Sequence, residues 1–327
     1  YINNNINNVE LDDVMYSKEF SDFGNVTYTE KTRAVIKIQD GCDRFCSYCI
    51  IPYARGRVRS RKPESIISEI TQIASKGIKE VVITGIHIAS YGKDFAMSKD
   101  NKLANYRLID LLEEINEIQG IQRIRLGSIE PLLITEEFVE RLKKLEKICH
   151  HFHLSLQSGC DETLKRMNRR YTTEQFKEIV RLLRNAYSDV NLTTDIIVGF
   201  PGETDEEFNK TYQFLKEIKF YKMHVFKYSP RKGTKAAVML NQINGDIKEE
   251  RSKKLIELSD RNEIEYNNSY IGKNVEVLFE EEKDGMYKGH TQNYIMVYCQ
   301  SKENLDNKIM DVVCEKAEKE HIIAIME

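Results

Sequence analysis

The sequence lacks any uninterrupted apolar run long enough to cross a bilayer, which excludes a chain built from membrane-spanning helices. Its first residues carry no basic-then-apolar pattern, so export is not expected and the cytoplasm is the default expectation. An odd count of seven cysteines, with no leader pattern, speaks against a disulfide framework and for reduced thiols. Charge of either sign is nearly balanced at −3. That mean gives no nucleic-acid signature by itself, although it says nothing about local patches. No repeat of a solenoid kind is present. What remains is 327 residues, 41% of them apolar, enough for one large core and a smaller one.

The chain opens at Tyr1 on an Asn-rich stretch, YINNNINNVELDDV, that reads as a linker. Residues 1–32 are therefore expected to be a linker or the remnant of a missing upstream domain. From residue 33, β-branched runs alternate with helical patterns. RAVIKIQ, KEVVIT, RIRLGS, FHLSLQ, NLTTDIIVGF and KMHVFKYS read as strands. PESIISEITQIASKG, NYRLIDLLEEINEIQG, TEEFVERLKKLEK, TTEQFKEIVRLLRNAY and TDEEFNKTYQFLKEIK read as helices, with Pro63 in a first turn and capping boxes at Thr172/Gln175 and Thr204/Glu207. Strict alternation implies parallel strands with right-handed crossovers, as a partial barrel or an open doubly wound sheet. The unusual residues nearly all follow strands, at the functional end of such a layer. A last helix spans about 246–268. Residues 269–327 then read as short strands with turn residues between them, suggesting a small closed β-barrel.

The stretch QDGCDRFCSYCIIPYARG places Cys42, Cys46 and Cys49 together and stops one short of a tetrahedral set. No second Cys or His pair follows at zinc spacing, which disfavours a closed zinc site. Three soft thiolates suit a 4Fe–4S cluster whose fourth iron stays open to a ligand.

Cys42-x3-Cys46-x2-Cys49, with Tyr48 before the last cysteine, resembles the signature of the radical S-adenosylmethionine enzymes. IIPYARGRVRSR, TGIHIASYG, HFHLSLQSGCDETLKRMNRRYT, TDIIVGFPGET and FKYSPRKGTKAA together resemble the methylthiotransferases over about residues 33–327, most closely the branch that modifies N6-threonylcarbamoyladenosine beside the tRNA anticodon. The resemblance implies a partial (β/α)6 TIM-like barrel over 33–268 and a TRAM RNA-binding barrel over 269–327. It implies a cluster held by Cys42, Cys46 and Cys49, with S-adenosyl-L-methionine chelated on its open iron and cleaved to a radical. A second cluster is expected on the missing domain, and no second cysteine triplet occurs here. The implied partners are tRNA and an electron donor such as flavodoxin or ferredoxin, without a membrane. Isopentenyladenosine in tRNA and a ribosomal-protein aspartate are alternative substrates, and a non-catalytic RNA-binding scaffold with a structural cluster is the alternative of another class.

By the same resemblance, Tyr48 lies near the adenine of the cofactor, and Gly85 and Ile86 offer it backbone groups, although Gly85 reads equally as a tight turn. Glu130 and Gln157 face the barrel mouth as hydrogen-bonding groups. Arg170 pairs with the cofactor carboxylate, in competition with Arg166 and Arg169. Gly199 opens the GFPGET turn, where backbone N–H groups approach a ligand. The basic run Arg55, Arg57, Arg59, Arg61 and Lys62 contacts tRNA phosphate or forms a solvated edge. Tyr287, His290 and Tyr294 stand as stacking or phosphate contacts of the terminal barrel, whose acidic EEEKD tract departs from a basic binding face. His150, His151 and His153 lack metal spacing, and Cys149, Cys160, Cys299 and Cys314 read as small buried apolar residues.

Overall fold

A computed structural model describes residues 15, 17, 19–22, 32–97 and 103–326. Most of the linker expected over 1–32 lies outside the described residues. The first strand, β1 (Arg33–Asp40), leads through a short helix α1 (Ile51–Arg55) and a two-residue antiparallel strand β2 (Arg59–Ser60) to helix α2 (Pro63–Ser75) and strand β3 (Glu80–Gly85). There follow α3 (Leu108–Asn116), β4 (Arg123–Leu126), α4 (Glu136–Leu142), β5 (His151–Gln157), α5 (Asp161–Arg166), α6 (Thr173–Ala186), β6 (Asn191–Val198), α7 (Asp205–Ile218), β7 (Lys222–Lys227) and α8 (Gly245–Asn268).

Strand pairs β1–β3, β3–β4, β5–β6 and β6–β7 are all parallel, and two isolated bridges, Ile124 to Ile148 and Ile129 to Leu154, join β4 to β5. Six parallel strands thus run in sequence order as a partial barrel. Period-two alternation decides the two faces. Ala34, Ile36 and Ile38 of β1, Val81 and Ile83 of β3, and Phe152, Leu154 and Leu156 of β5 are fully buried against Ile66 and Ile70 of α2 and Phe176 of α6. Each such large side chain contributes about 1.5–3 kcal/mol of burial. The intervening positions carry Lys37, Gln39, Arg125, His153, Ser155, Gln157, Asp195 and His224, so the inner face is polar.

Both expected capping boxes form: Thr172 and Gln175, and Thr204 and Glu207, exchange side-chain and backbone hydrogen bonds. The helical run over 135–147 shortens to α4, because Leu145 and Ile148 are buried in the turn toward β5. α5 was not expected; it is six residues long and capped by none of its own side chains.

The remaining strands, β8 (Asn274–Lys283), β9 (Met286–Thr291), β10 (Met296–Gln300), β11 (Ile309–Ala317) and β12 (Ile322–Ile325), close a barrel in the order β10-β12-β11-β8-β9. β9 and β10 are separated by a turn in which Tyr294 adopts a left-handed φ of 71°. Cys299 and Cys314 lie in the barrel core with Val277, Phe279 and Val312.

This small barrel docks on the N-terminal ends of the parallel strands, away from the loops that follow them. Arg123 donates to the carbonyl of His290 (2.8 Å) and to Glu276 Oε1 (2.9 Å), and Arg125 donates to the carbonyl of Gln292 (3.0 Å) and to Glu80 Oε1 (2.8 Å). Tyr294 stacks between His151 and His290, at centroid distances of 4.8 and 4.7 Å. Glu280, the first residue of the acidic tract, binds Arg33 (2.6 Å) and His290 Nδ1 (2.6 Å). His290 and Tyr294 are therefore engaged in joining the two units. Tyr287 packs edge-on against Phe279 of the barrel core. No described helix is long and apolar enough to cross a membrane.

Candidate active site

The three-cysteine loop leaves β1 at its C-terminal end. Gly41 permits the exit: its φ is +72°, and a Cβ there would stand 1.8 Å from the carbonyl oxygen of Arg57. The buried Gln39 amide donates to the carbonyl of Gly41 (2.7 Å) and accepts the N–H of His87 (2.7 Å), tying the loop after β1 to the loop after β3. Further on, Cys42 N–H donates to Gly56 O (3.0 Å), Ser47 Oγ to Arg166 O (2.8 Å), Ser47 N–H to Met167 O (3.0 Å) and Ala236 N–H to Ser47 O (2.7 Å). The loop is thus held by neighbouring segments as well as by its own Cys49 N–H to Cys46 O bond (3.0 Å).

Cys42 is buried, Cys46 and Cys49 are half-buried, and none forms a disulfide. The thiols lie close enough for Cys42 to feel the charge of both others. Burial pushes the Cys42 thiol up to about 11 and raises that of Cys49 as well, so the thiolate form at these positions needs neighbouring positive charge to stabilise it. Among the described residues no three His, Cys, Asp or Glu side chains are gathered tightly enough for a single ion. Three soft thiolates carried by one loop, none tied into a disulfide, are the donor chemistry that an iron–sulfur cluster takes.

Around the loop, Tyr48 is half-buried with its ring edge-on to Phe200 at 6.3 Å. Glu130 follows β4 and accepts from Arg44 Nη2 at 2.9 Å. Gln157 ends β5 at φ +70°, a left-handed conformation that a glutamine adopts only when its surroundings enforce it. Gly85 packs so tightly that a Cβ would lie 2.9 Å from Gln39 O, and Ile86 beside it is half-buried. Arg170 is exposed, near enough to Lys93 to depress that amine together with burial and Arg44. Arg166 is committed elsewhere, to Glu207. Gly199 lies on this rim, but its N–H donates to Glu203 Oε2 (2.7 Å), itself bound by Arg251, so that group is used within the turn.

The basic run does not present one edge. Arg55, Arg57 and Lys62 are exposed, with Arg57 over the Phe45 ring at 5.1 Å. Arg59 and Arg61 are buried, at 7% and 5% exposure, and Arg61 binds Glu69 and Asp22. Burial corrects the reading of those two as phosphate contacts.

Two site residues, Arg44 and His87, escaped the sequence reading, and a third, Arg169, was read there only as a candidate partner of the cofactor carboxylate. Arg44 sits inside the cysteine loop itself. Arg169 donates to Cys46 Sγ at 3.4 Å. His87 has its Nδ1 on Ser90 Oγ (2.8 Å), and its Nε2 is buried without a partner among the described residues. Burial, then the charges of Arg44, Lys93 and Arg169, lower its pKa to about 4. The position of His87 in TGIHIASYG, directly after a strand, was the available signal. On the inner face, His153 Nε2 meets Asp195 Oδ2 at 3.2 Å, while His151 and His153 share the Thr193 hydroxyl. The broad surface concavities beside Tyr212 and beside Tyr266 both lie away from the loop.

Residues 36–215 match the Radical SAM superfamily. The chain belongs to that superfamily. Within it, the chain is 42% identical over 313 residues to threonylcarbamoyladenosine tRNA methylthiotransferase MtaB of Bacillus subtilis, an alignment covering 94% of this chain and 68% of that protein. It is 40% identical over 287 residues to tRNA-2-methylthio-N(6)-dimethylallyladenosine synthase of Caldicellulosiruptor saccharolyticus, covering 87% of this chain and 57% of that protein. The radical SAM enzyme described here is therefore a member of the tRNA methylthiotransferase family. Among solved structures, its backbone is similar to the radical S-adenosylmethionine methyltransferase TsrM of Kitasatospora setae, with a TM-score of 0.50, 22% identity and coverage of 63% and 38% of the two chains. It is similar likewise to coproporphyrinogen III oxidase (HemN) of Escherichia coli, with a TM-score of 0.50, 13% identity and coverage of 81% and 68%. At those identities the likeness concerns the fold.

Proposed function

We propose that this methylthiotransferase acts on N6-threonylcarbamoyladenosine beside the tRNA anticodon, placing a methylthio group at C2 of the base, with electrons from a small donor such as flavodoxin or ferredoxin. The observation that carries the reading is the three-thiol loop at the C-terminal mouth of a partial barrel, in a chain 42% identical across 94% of its length to a relative bearing that substrate's name. Cys42, Cys46 and Cys49 would hold the 4Fe–4S cluster. When bound, the cluster and S-adenosylmethionine supply a hydrogen-abstracting radical.

The chain's own residues position and enclose. Tyr48 and Phe200 make an apolar wall beside the thiols, which keeps water from the reacting atoms. Glu130 is fixed by Arg44, which leaves its second oxygen for a hydroxyl or ammonium group. Arg170 and Lys93 bring positive charge to the rim, suited to a carboxylate of cofactor or substrate. The exposed Arg55, Arg57 and Lys62 supply sequence-independent contacts to phosphate.

The test is mass spectrometry of tRNA nucleosides from cells lacking the gene, with and without the restored gene and its Cys46→Ala form. Loss of the methylthio group from N6-threonylcarbamoyladenosine, regained with the gene but not with Cys46→Ala, supports the reading. Loss from dimethylallyladenosine instead would transfer the chain to the branch of its 40% identical relative. Nucleosides unchanged by Cys46→Ala would favour a scaffold, and a change confined to ribosomal peptides would favour the aspartate substrate.

A further inference from the structure

We propose that the Arg169 guanidinium tunes the electron affinity of the cysteine-held cluster, raising its reduction potential through a hydrogen bond to the Cys46 sulfur. The inference rests on the reading of Cys46 as a cluster ligand. Arg169 lies in the α5–α6 turn, in which Asn168 takes a φ of +59° and Arg169 N–H donates to Leu164 O at 2.9 Å. Its guanidinium is spread over three fixed acceptors: Nη1 to Cys46 Sγ (3.4 Å), Nη2 to Ser155 O (2.8 Å) and Nε to Tyr171 Oη (2.9 Å), with the Tyr171 ring 5.0 Å away. Tyr171 is itself anchored by its hydroxyl to the main-chain carbonyls of Ser155 and Leu156, at 2.7 Å each.

None of those acceptors is a carboxylate. Arg44, Arg61, Arg125, Arg166 and Arg251 each have one, in Glu130, Glu69, Glu80, Glu207 and Glu203. Arg169 is half-buried and has no such partner among the described residues, and the one atom in its shell that would lose its proton on metal binding is Cys46 Sγ. A neutral thiol is a weak acceptor, whereas a thiolate is a strong one. Reduction of the cluster adds one electron and no proton, so a fixed cation on a ligand sulfur favours the reduced form. Hydrogen bonds around a ligand of this kind orient it and adjust its metal. Lysine loses the three-way fork but keeps the charge and an N–H that can reach one sulfur, which is what the effect on the potential requires. Arg169 is on these grounds a positioning residue for the metal centre.

The experiment uses the whole chain, reconstituted with iron and sulfide without oxygen and titrated with dithionite as the one-electron donor, the reduced cluster being followed by electron paramagnetic resonance. Neither S-adenosylmethionine nor RNA is added. Arg169→Gln is expected to hold its iron yet take up the electron at a lower potential than wild type, and Arg169→Lys to recover most of the difference. An unchanged potential in Arg169→Gln, or a potential in Arg169→Lys as low as in Arg169→Gln, overturns the proposal. If Arg169→Gln retains no cluster, Arg169→Met replaces it with the same expectations. Cys46→Ala checks the underlying reading separately: a full cluster in that variant would sink the ligand assignment, whatever Arg169 does.

Discussion

Arg44 and Glu130, 86 positions apart, meet at 2.9 Å, and their contact fixes the three-cysteine loop to the end of β4. Glu130 is only 5% exposed and Arg44 20%, and Arg44 Nε is already buried without a partner among the described residues. Glu130→Ala would strand the guanidinium beside the thiols. The expected cost is about 2–3 kcal/mol, below the full range for a wholly buried pair because Arg44 retains some solvent. Urea unfolding of the metal-free chain measures it, and a loss under ~0.5 kcal/mol would show that the pair does not hold the loop.

Gly41→Ala forces a side chain into 1.8 Å of the Arg57 carbonyl at a φ that disfavours any Cβ. The backbone must move, at about 1–3 kcal/mol, and the movement displaces Cys42 directly. Reconstituted Gly41→Ala is expected to retain less than half the iron of the parent, by colorimetric assay. Full iron content would mean that the loop has slack the geometry does not suggest.

His87 gives the metal-free fold a defined acid sensitivity. Its folded pKa is near 4, against ~6.5 in an unfolded chain, so the unfolded state binds more protons between those values. Stability from this group is full above pH 6.5 and is lost as pH falls toward 4. Allowing for partial exposure, the loss is about 2 kcal/mol. His87→Gln, which keeps a hydrogen-bonding side chain, is expected to flatten the stability curve between pH 6.5 and 4.5 relative to the parent. Parallel curves for the two proteins would exclude His87 as the source.

Tyr294 lies between His151 and His290 with Arg125 4.6 Å from its ring centre, so Tyr294→Ala removes the centre of the contact between the two units. About 2–3 kcal/mol should be lost, toward the low end for an aromatic truncation because the ring is 36% exposed. Limited proteolysis should then cut faster near residues 269–273. Weaker tRNA binding with unchanged proteolysis would restore Tyr294 to the RNA surface.

Exposure separates the basic run into two groups with different salt behaviour. Each of Arg55→Ala, Arg57→Ala and Lys62→Ala should reduce the slope of log affinity for tRNA against log salt by up to ~0.9, with little loss of stability. Arg61→Ala should lower stability instead, because it leaves Glu69 buried without its partner. Equal salt slopes for all four variants and the parent would remove this surface from the RNA interface.

Much was fixed by residue order alone. The alternation of short β-branched runs with amphipathic stretches dictated parallel strands and outer helices, because periods of two and 3.6 cannot be exchanged without exposing apolar faces. The CDRFCSYC spacing gathered three thiols on one loop, and the caps at Thr172 and Thr204 formed because their partners lie three residues away, within local reach. Contacts across the fold were a different matter. Which of Arg55, Arg57, Arg59, Arg61 and Lys62 meets solvent depends on β2 pairing with β1 and on α2 carrying Glu69, and no local pattern encodes either. Arg169 and Cys46 are 123 positions apart, His290 and Arg123 167 apart. Their pairing follows from how the strands close and where the small barrel sits, so tertiary structure alone converted a run of charges and aromatics into a thiol neighbour, a buried ion pair and an interface.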